Sequence, residues 1–298
     1  MTNLIFATII FSISFGLIKA NLSTLDPNIV VFLRLFFASL VFLPFFILNK
    51  EKISKNDFIK ASLIGIIQFG LMYLFYIRAY HYLKGSEIAL LTTSTPMFVT
   101  IVSSIYSKKI DSFQTFLTIL AIAGGLFVVF KENTFHFAIV GVIFMELSNL
   151  TFALGQILWK KHVNLNSAKM MFPAYSGACL IALVPCLLFS DIKSIALRPW
   201  QLTSILYLGL IPTGLGFYLW NSGAKKANDT TLAVMNNLKI PVGALFAIIF
   251  FGEKINLKSF SIGFLIILTA IIASILYRKK NSKRENSGVL IKWGYKWK

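Results

Sequence analysis

Charge is scarce in this chain, and negative charge most of all. Charged residues make up 13% of the 298, and Asp and Glu together number only 11. A soluble globular domain carries about 25% charged residues. Here 57% of residues are hydrophobic and the mean hydropathy is +0.76, more apolar surface than a water-soluble globule of this size can hide. A soluble domain is excluded, and the solvent is lipid.

Histidine and cysteine are nearly absent too. His81 and His162 fall near the ends of apolar runs and His136 in a short connection, without metal-ligand spacing. Cys179 and Cys186 sit on one expected helix. Their Cα atoms would lie about 10 Å apart, too far for a disulfide. No Gly-Lys-Ser/Thr phosphate loop is present, so the chain does not itself hydrolyse ATP. No His, Asp or Ser cluster shares one membrane depth, which leaves a polytopic enzyme without machinery. Neither catalytic residues nor a cofactor nor a metal is expected.

What the chain has is long apolar runs. Ten occur, near 3–20, 29–48, 58–78, 88–106, 113–130, 137–157, 171–189, 201–222, 232–251 and 258–277. Each matches a hydrocarbon core of about 30 Å at about 1.5 Å per residue. The runs are continuously apolar, without the period-2 alternation of barrel strands, so they predict helices. The first lacks a basic leader and reads as a span rather than a cleaved signal. The fold class expected is an all-α membrane protein of ten transmembrane helices.

Basic residues set the orientation. With the N-terminus in the cytoplasm, the inner segments (49–60, 107–112, 158–170, 223–231 and the tail) hold 19 Lys/Arg and the outer connections 7. That asymmetry predicts a multi-pass protein of the bacterial cytoplasmic membrane with both termini inside. The net charge of +18 then needs no nucleic acid as partner. The tail, 279–298, is basic and is expected to meet water and anionic lipid.

The halves resemble each other in one place. Tyr73–Pro96 aligns without gaps with Tyr218–Pro241, pairing Tyr73 with Tyr218, Leu74 with Leu219, Ala79 with Ala224 and Pro96 with Pro241. Pro44 and Pro185 recur at a similar offset. Each half holds five spans, an odd number, so a duplicated unit enters the membrane the opposite way round. Inverted repeats of this kind build transporter sites near the midplane. The units expected are 1–136 and 137–278, followed by the tail.

The stretch "LGLIPTGLGFYLWNSGAKKANDTTLAVMNNLKIPVGALFAIIFFGEKINLKSFSIGFLIIL" resembles the second repeat of EamA-type members of the drug/metabolite transporter superfamily. Gly209, Gly214, Gly216, Tyr218, Trp220, Pro241 and Gly252-Glu253 carry the likeness. In the first repeat Pro96 matches, whereas Ser107-Lys108 replace the usual Gly-Glu. The resemblance implies a central cavity between the repeats that moves small metabolites, often amino acids or related compounds, by alternating access.

Depth singles out the polar residues. Lys239 and Glu146 each fall near the midplane, about 12 and 15 Å into their spans. A lone charge there is costly, so the two are expected to pair. Asn149 and Gln156 share a helical face with Glu146, and Asn236 shares one with Lys239. Thr92-Thr93 and Asn236-Asn237 flank Pro96 and Pro241, which are expected to kink their spans as hinges. Tyr73, Tyr76, Tyr218 and Trp220 are the aromatics that the repeat directs to a cavity. For Arg34, about five residues below the outer face, snorkelling and substrate contact both stay open. Helix–helix locking is the competing reading of the charged pair and of the Thr and Asn pairs.

These features predict a secondary carrier of a small polar metabolite. Basic residues outnumber the single deep carboxylate, which favours an amino acid or related carboxylate, with a proton as candidate coupling ion. The alternative cargo is a larger cationic or nucleoside-like metabolite such as S-adenosylmethionine. A channel or scaffold is the alternative of a different class.

Overall fold

The computed structural model describes residues 1–22, 24–49, 51–83, 85–129, 138–163, 167–191, 197–251 and 256–294. Side chains at 15, 19, 86, 247, 250, 251 and beyond 277 lie outside that description, as do Gly252-Glu253 and His136. The helices are α1 (Thr2–Asn21), α2 (Pro27–Leu48), α3 (Lys55–Ala79), α4 (Gly85–Thr92 and Thr95–Ser107) and α5 (Ser112–Val129). There follow α6 (Ile139–His162), α7 (Ser167–Phe189), α8 (Pro199–Lys226), α9 (Asp229–Met235 and Lys239–Phe251) and α10 (Leu257–Gly294). Among the described residues, 8 helices are long and apolar enough to cross a membrane. The exceptions are α1, with a shorter apolar stretch, and the divided α9.

Local chemistry fixes the helix starts. Asp26 accepts from the backbone N–H groups of Asn28 and Ile29 (2.8 and 3.4 Å), ahead of Pro27 at the first helical position. Ser54 caps α3 and Asn228 caps α9, the latter through Thr231 N–H at 2.7 Å. Such caps satisfy donors that a helix start leaves open. At the other extreme, α10 does not stop where its apolar run ends near Tyr277. It continues as one helix through Gly294, across the boundary expected at 278.

Helix packing repeats itself five helices on. Helix α3 packs on α6 and α7 as α8 packs on α1 and α2; α4 packs on α5 and α6 as α9 packs on α10 and α1. Three further contacts, α2 with α7, α4 with α9 and α5 with α10, map onto themselves, whereas the packing of α5 on α9 has no comparable counterpart between α10 and α4. Irregular backbone repeats as well. The π-helical turns Ile66–Leu71 and Gly209–Gly216 occupy matching places in α3 and α8. The breaks in α4 and α9 also match, since the alignment that pairs Tyr73 with Tyr218 sets Ser94 opposite Lys239. The architecture is two inverted five-helix repeats.

The prolines act differently from the kinks expected of them. Pro96 and Pro241 stand in the first turn of the second half-helices, just after each break. There a missing N–H costs nothing, because the first donors of a helix have no partner within it. The break precedes the proline.

Small residues bring backbones together where the halves meet. A Cβ on Gly65 would lie 1.9 Å from the Ala174 carbonyl oxygen, and one on Gly177 would lie 2.4 Å from that of Ser62. Ser62 Oγ donates to the Pro173 carbonyl at 3.0 Å in the same crossing. In the repeat-related crossing, a Cβ on Gly209 would meet Phe37 Cβ at 2.9 Å and the Arg34 carbonyl oxygen at 3.1 Å. Without a hydrophobic drive between helices in lipid, close packing of this kind holds them. Gly65→Val should therefore destabilise the purified protein by about 1–3 kcal/mol, read as a lower thermal midpoint in detergent. An unchanged midpoint would contradict the crossing.

Candidate functional site

A cavity of about 80 Å³ lies inside the bundle. It sits between α1 (Phe11, Ser14, Ile18), α2 (Arg34), α3 (Met72, Tyr73, Tyr76), α6 (Met145, Ser148, Asn149, Phe152) and α8 (Phe217), with Thr92 and Lys239 at the breaks of α4 and α9. These are the late residues of α1 and α3 and the early residues of α2 and α6. The cavity therefore lies in the half of the bundle nearer the α1–α2 and α3–α4 connections. Among the described residues, two cations line it and no carboxylate does.

Arg34 is 1% exposed, so it does not snorkel. It donates to Thr213 Oγ1 from Nε (3.3 Å) and Nη2 (3.1 Å), and to Tyr73 Oη from Nη2 (3.0 Å). Its guanidinium carbon is 4.4 Å from the centroid of the Tyr73 ring. Thr213 belongs to the π-helical segment of α8, and its carbonyl accepts from the Tyr175 hydroxyl. The Tyr175 ring stacks on Phe69 at 4.7 Å. Arg34 is thus held from α3 and α8.

Lys239 opens the second half of α9, and its Nζ lies 5.4 Å from the Phe152 ring centroid, a cation–π contact. Ser12 Oγ on α1 donates to the Lys239 carbonyl at 3.0 Å. The expected Glu146–Lys239 ion pair is not formed. Glu146 instead accepts from Ser94 Oγ at 2.7 Å and from Asn149 Nδ2 at 3.4 Å. The reason is the break in α4, which frees carbonyls and turns Ser94 toward α6. Asn149 closes this cluster, donating to the Leu91 carbonyl and Ser94 Oγ (both 3.0 Å) and accepting from Thr95 Oγ1 (3.1 Å).

The other sequence-selected residues fall elsewhere. Gln156, Trp220 and Asn236 lie below the cavity, where Gln156 Oε1 accepts from Trp220 Nε1 (2.9 Å) and Asn236 Nδ2 (3.5 Å). Gln68 and Asn221 exchange two hydrogen bonds at 2.8 and 3.2 Å in the same buried layer. Asn237 donates to the carbonyls of Thr93 and Ala121 (3.1 and 2.9 Å), tying the two broken helices to α5. Tyr218 packs on Phe42, 5.7 Å between ring centroids. Thr213, Ser148, Phe11, Phe152 and Phe217 escaped the sequence reading. Only Thr213 carried a signal, since it sits in the Gly-rich stretch opposite Gln68 of the other repeat.

Beyond that polar layer the bundle is tied shut. Lys160 at the end of α6 pairs with Asp229 at the start of α9, and Ser103 of α4 donates to Asp229 at 2.6 Å. Asp229 stands on the 223–231 connection, outside the apolar run. Burial alone would raise its carboxyl, but Lys160, its hydrogen bond, Ser103 and the Lys161 charge outweigh that and hold it below the ordinary value. The tie is therefore charged at neutral pH and is lost only as pH falls through that lowered value.

An all-helical bundle with helices long enough to span a membrane, around a small and mostly apolar cavity that bears two cations, is the build of a membrane transporter. The model of the EamA-like transporter family matches residues 1–130 and 139–276. The chain belongs to the EamA-like transporter family and is a multi-pass membrane transporter, not an enzyme. It is 31% identical over 278 residues to the "Biotin transporter" of Escherichia coli (strain K12), covering 91% of each chain. The "Probable biotin transporter" of Pseudomonas aeruginosa is 30% identical over 287 residues, covering 94% of this chain and 99% of that one. A solved crystal structure at 13% identity shares the fold, with a TM-score of 0.78 over 93% of this chain and 99% of the other.

The tie at Lys160 makes a checkable demand. With Cys179 and Cys186 replaced, a cysteine at Ser148 should react slowly with a membrane-impermeant thiol reagent added from the Lys160 side. Asp229→Asn should speed that reaction several-fold. Equal rates would mean that the ion pair does not hold this end closed.

Proposed function

We propose that this transporter carries a small metabolite bearing a carboxylate, with biotin the first candidate and amino acids the second. The observation behind this reading is the cavity wall, where Arg34 and Lys239 face the space without a carboxylate among the lining residues. A buried guanidinium and ammonium favour an anion that neutralises them. Biotin ends in a carboxylate on an apolar chain, and the Phe11, Phe152, Phe217 and Met145 side chains suit its body. The 31% identical relative named for biotin adds weight to the same choice. S-adenosylmethionine fits less well, because its sulfonium would face two cations.

The proposed setting is a bacterial cytoplasmic membrane with both termini and the Lys160 end inside, the orientation that the basic residues favour. The repeats 1–136 and 137–278 would then rock about the cavity, with the breaks before Pro96 and Pro241 as hinges. At about 80 Å³ the cavity must widen for a metabolite, since ligand pockets span about 300–1,000 Å³. A proton is the proposed coupling ion, and lipid surrounds the bundle.

Counterflow of labelled biotin in proteoliposomes tests the reading. Uptake should occur with the parent protein. It should fall roughly 10- to 100-fold in Lys239→Met and Arg34→Gln, the loss expected for one charge-assisted hydrogen bond of about 1.5–3 kcal/mol. Counterflow of a cation without a carboxylate, such as choline, but of neither biotin nor amino acids would overturn the carboxylate assignment.

A further inference from the structure

Hydrogen-bond accounting around Arg34 reveals an excess of donors. A guanidinium has five N–H groups and no acceptor, and each hydroxyl adds one donor and about two acceptor positions. Thr213 Oγ1 accepts from both Nε and Nη2 of Arg34. Its own hydrogen is then left for Tyr73 Oη, 3.1 Å away. Tyr73 Oη also accepts from Arg34 Nη2 at 3.0 Å. With its acceptor positions filled, the Tyr73 phenolic hydrogen has no acceptor left within the trio. Arg34 Nη1 is buried and has no partner among the described residues. Arg34 and Tyr73 both line the cavity, and Thr213 does not.

We propose that Arg34 Nη1 and the Tyr73 hydroxyl together receive the substrate carboxylate, and that Thr213 is the positioning residue that turns both toward it. This deepens the carboxylate reading and rests on it. A carboxylate is what the trio lacks, two oxygens with about four acceptor positions and a negative charge. Thr213 can hold its place because the π-helical turn of α8 and the Tyr175 hydroxyl on its carbonyl fix the backbone beneath it. The close approach of Gly209 to the Arg34 backbone brings that turn against α2. The ring of Tyr73, set under the guanidinium, fixes the remaining direction.

The test compares labelled biotin uptake by the parent, Thr213→Val, Thr213→Ser, Tyr73→Phe and Arg34→Gln at matched membrane abundance, with biotin and its neutral amide as competitors. Thr213→Val keeps the shape but removes the hydroxyl. It should raise the half-saturating biotin concentration about tenfold, leave the maximal rate within about twofold, and narrow the preference for biotin over the amide. Thr213→Ser should restore all three. Tyr73→Phe, which keeps the ring, should reproduce the loss of preference and serves if Thr213→Val fails to fold. Parent-like uptake and preference in both Thr213→Val and Tyr73→Phe, with Arg34→Gln impaired, would overturn this arrangement while leaving the carboxylate reading standing. An Arg34→Gln protein that still prefers biotin to the amide as the parent does would also overturn this arrangement, and a parent that takes up biotin and the amide alike would overturn the carboxylate reading itself. Uptake of neither biotin nor any amino acid by the parent would overturn both.

Discussion

A guanidinium sealed inside a membrane bundle imposes terms on everything around it. A guanidinium is a permanent cation with donors and no acceptor, and that of Arg34, at 1% exposure, cannot reach water. It must be held by oxygens, and the two that hold it through side-chain bonds belong to different repeats, Tyr73 of α3 and Thr213 of α8. Holding it requires α8 to come close to α2, which needs a glycine at 209, and to bulge at the level of 213, which the π-helical turn supplies. The same close crossing recurs between α3 and α7 through Gly65 and Gly177, where no cation is involved. The close crossing is thus common to both halves, and in one of them it carries a cation.

That charge breaks the twofold equivalence of the site. Lys239 stands opposite Ser94 in the aligned repeats, and Arg34 stands opposite Tyr175 at the offset of Pro44 and Pro185. The neutral partners do structural work: Ser94 satisfies Glu146, and Tyr175 fixes the Thr213 carbonyl. The charged ones face the cavity. A cargo with one anionic end and one apolar end would sit in such a site in one orientation. A symmetric pair of cations would not impose this.

How far the sequence reached differs between fold and site. Span lengths and the Tyr73/Tyr218 and Pro96/Pro241 pairs were enough to lay out five helices in each half, because lipid leaves the backbone few options. Depth was enough to single out Lys239, because a charge in mid-span needs a reason, but it left Arg34 open between snorkelling and substrate contact. What it missed is set by backbone irregularity. The Glu146–Lys239 pair assumed continuous helices, but the break at Thr93–Ser94 offers Glu146 a nearer donor. Thr213 looks like one more small polar residue until the π-helical turn rotates it onto Arg34. Gln156, Trp220 and Asn236 are polar at the right depth for a cavity, yet they bond to each other in a buried layer and do not line it. Asn237 likewise serves two backbone carbonyls.

A buried polar layer and the Lys160–Asp229–Ser103 tie lie toward one end of the bundle, Asn21, Asn28 and Gln201 bond between helices at the other, and two cations line the cavity between them. The central claim is that those cations, Arg34 foremost, are there for an anionic cargo. A structure of the full chain determined with biotin bound tests this most directly. The account predicts the carboxylate within about 2.7–3.2 Å of Arg34 Nη1 and the Tyr73 hydroxyl, with the ring system against Phe152 and Phe217. Biotin seated in the cavity with its carboxylate turned away from both Arg34 and Lys239 would contradict it.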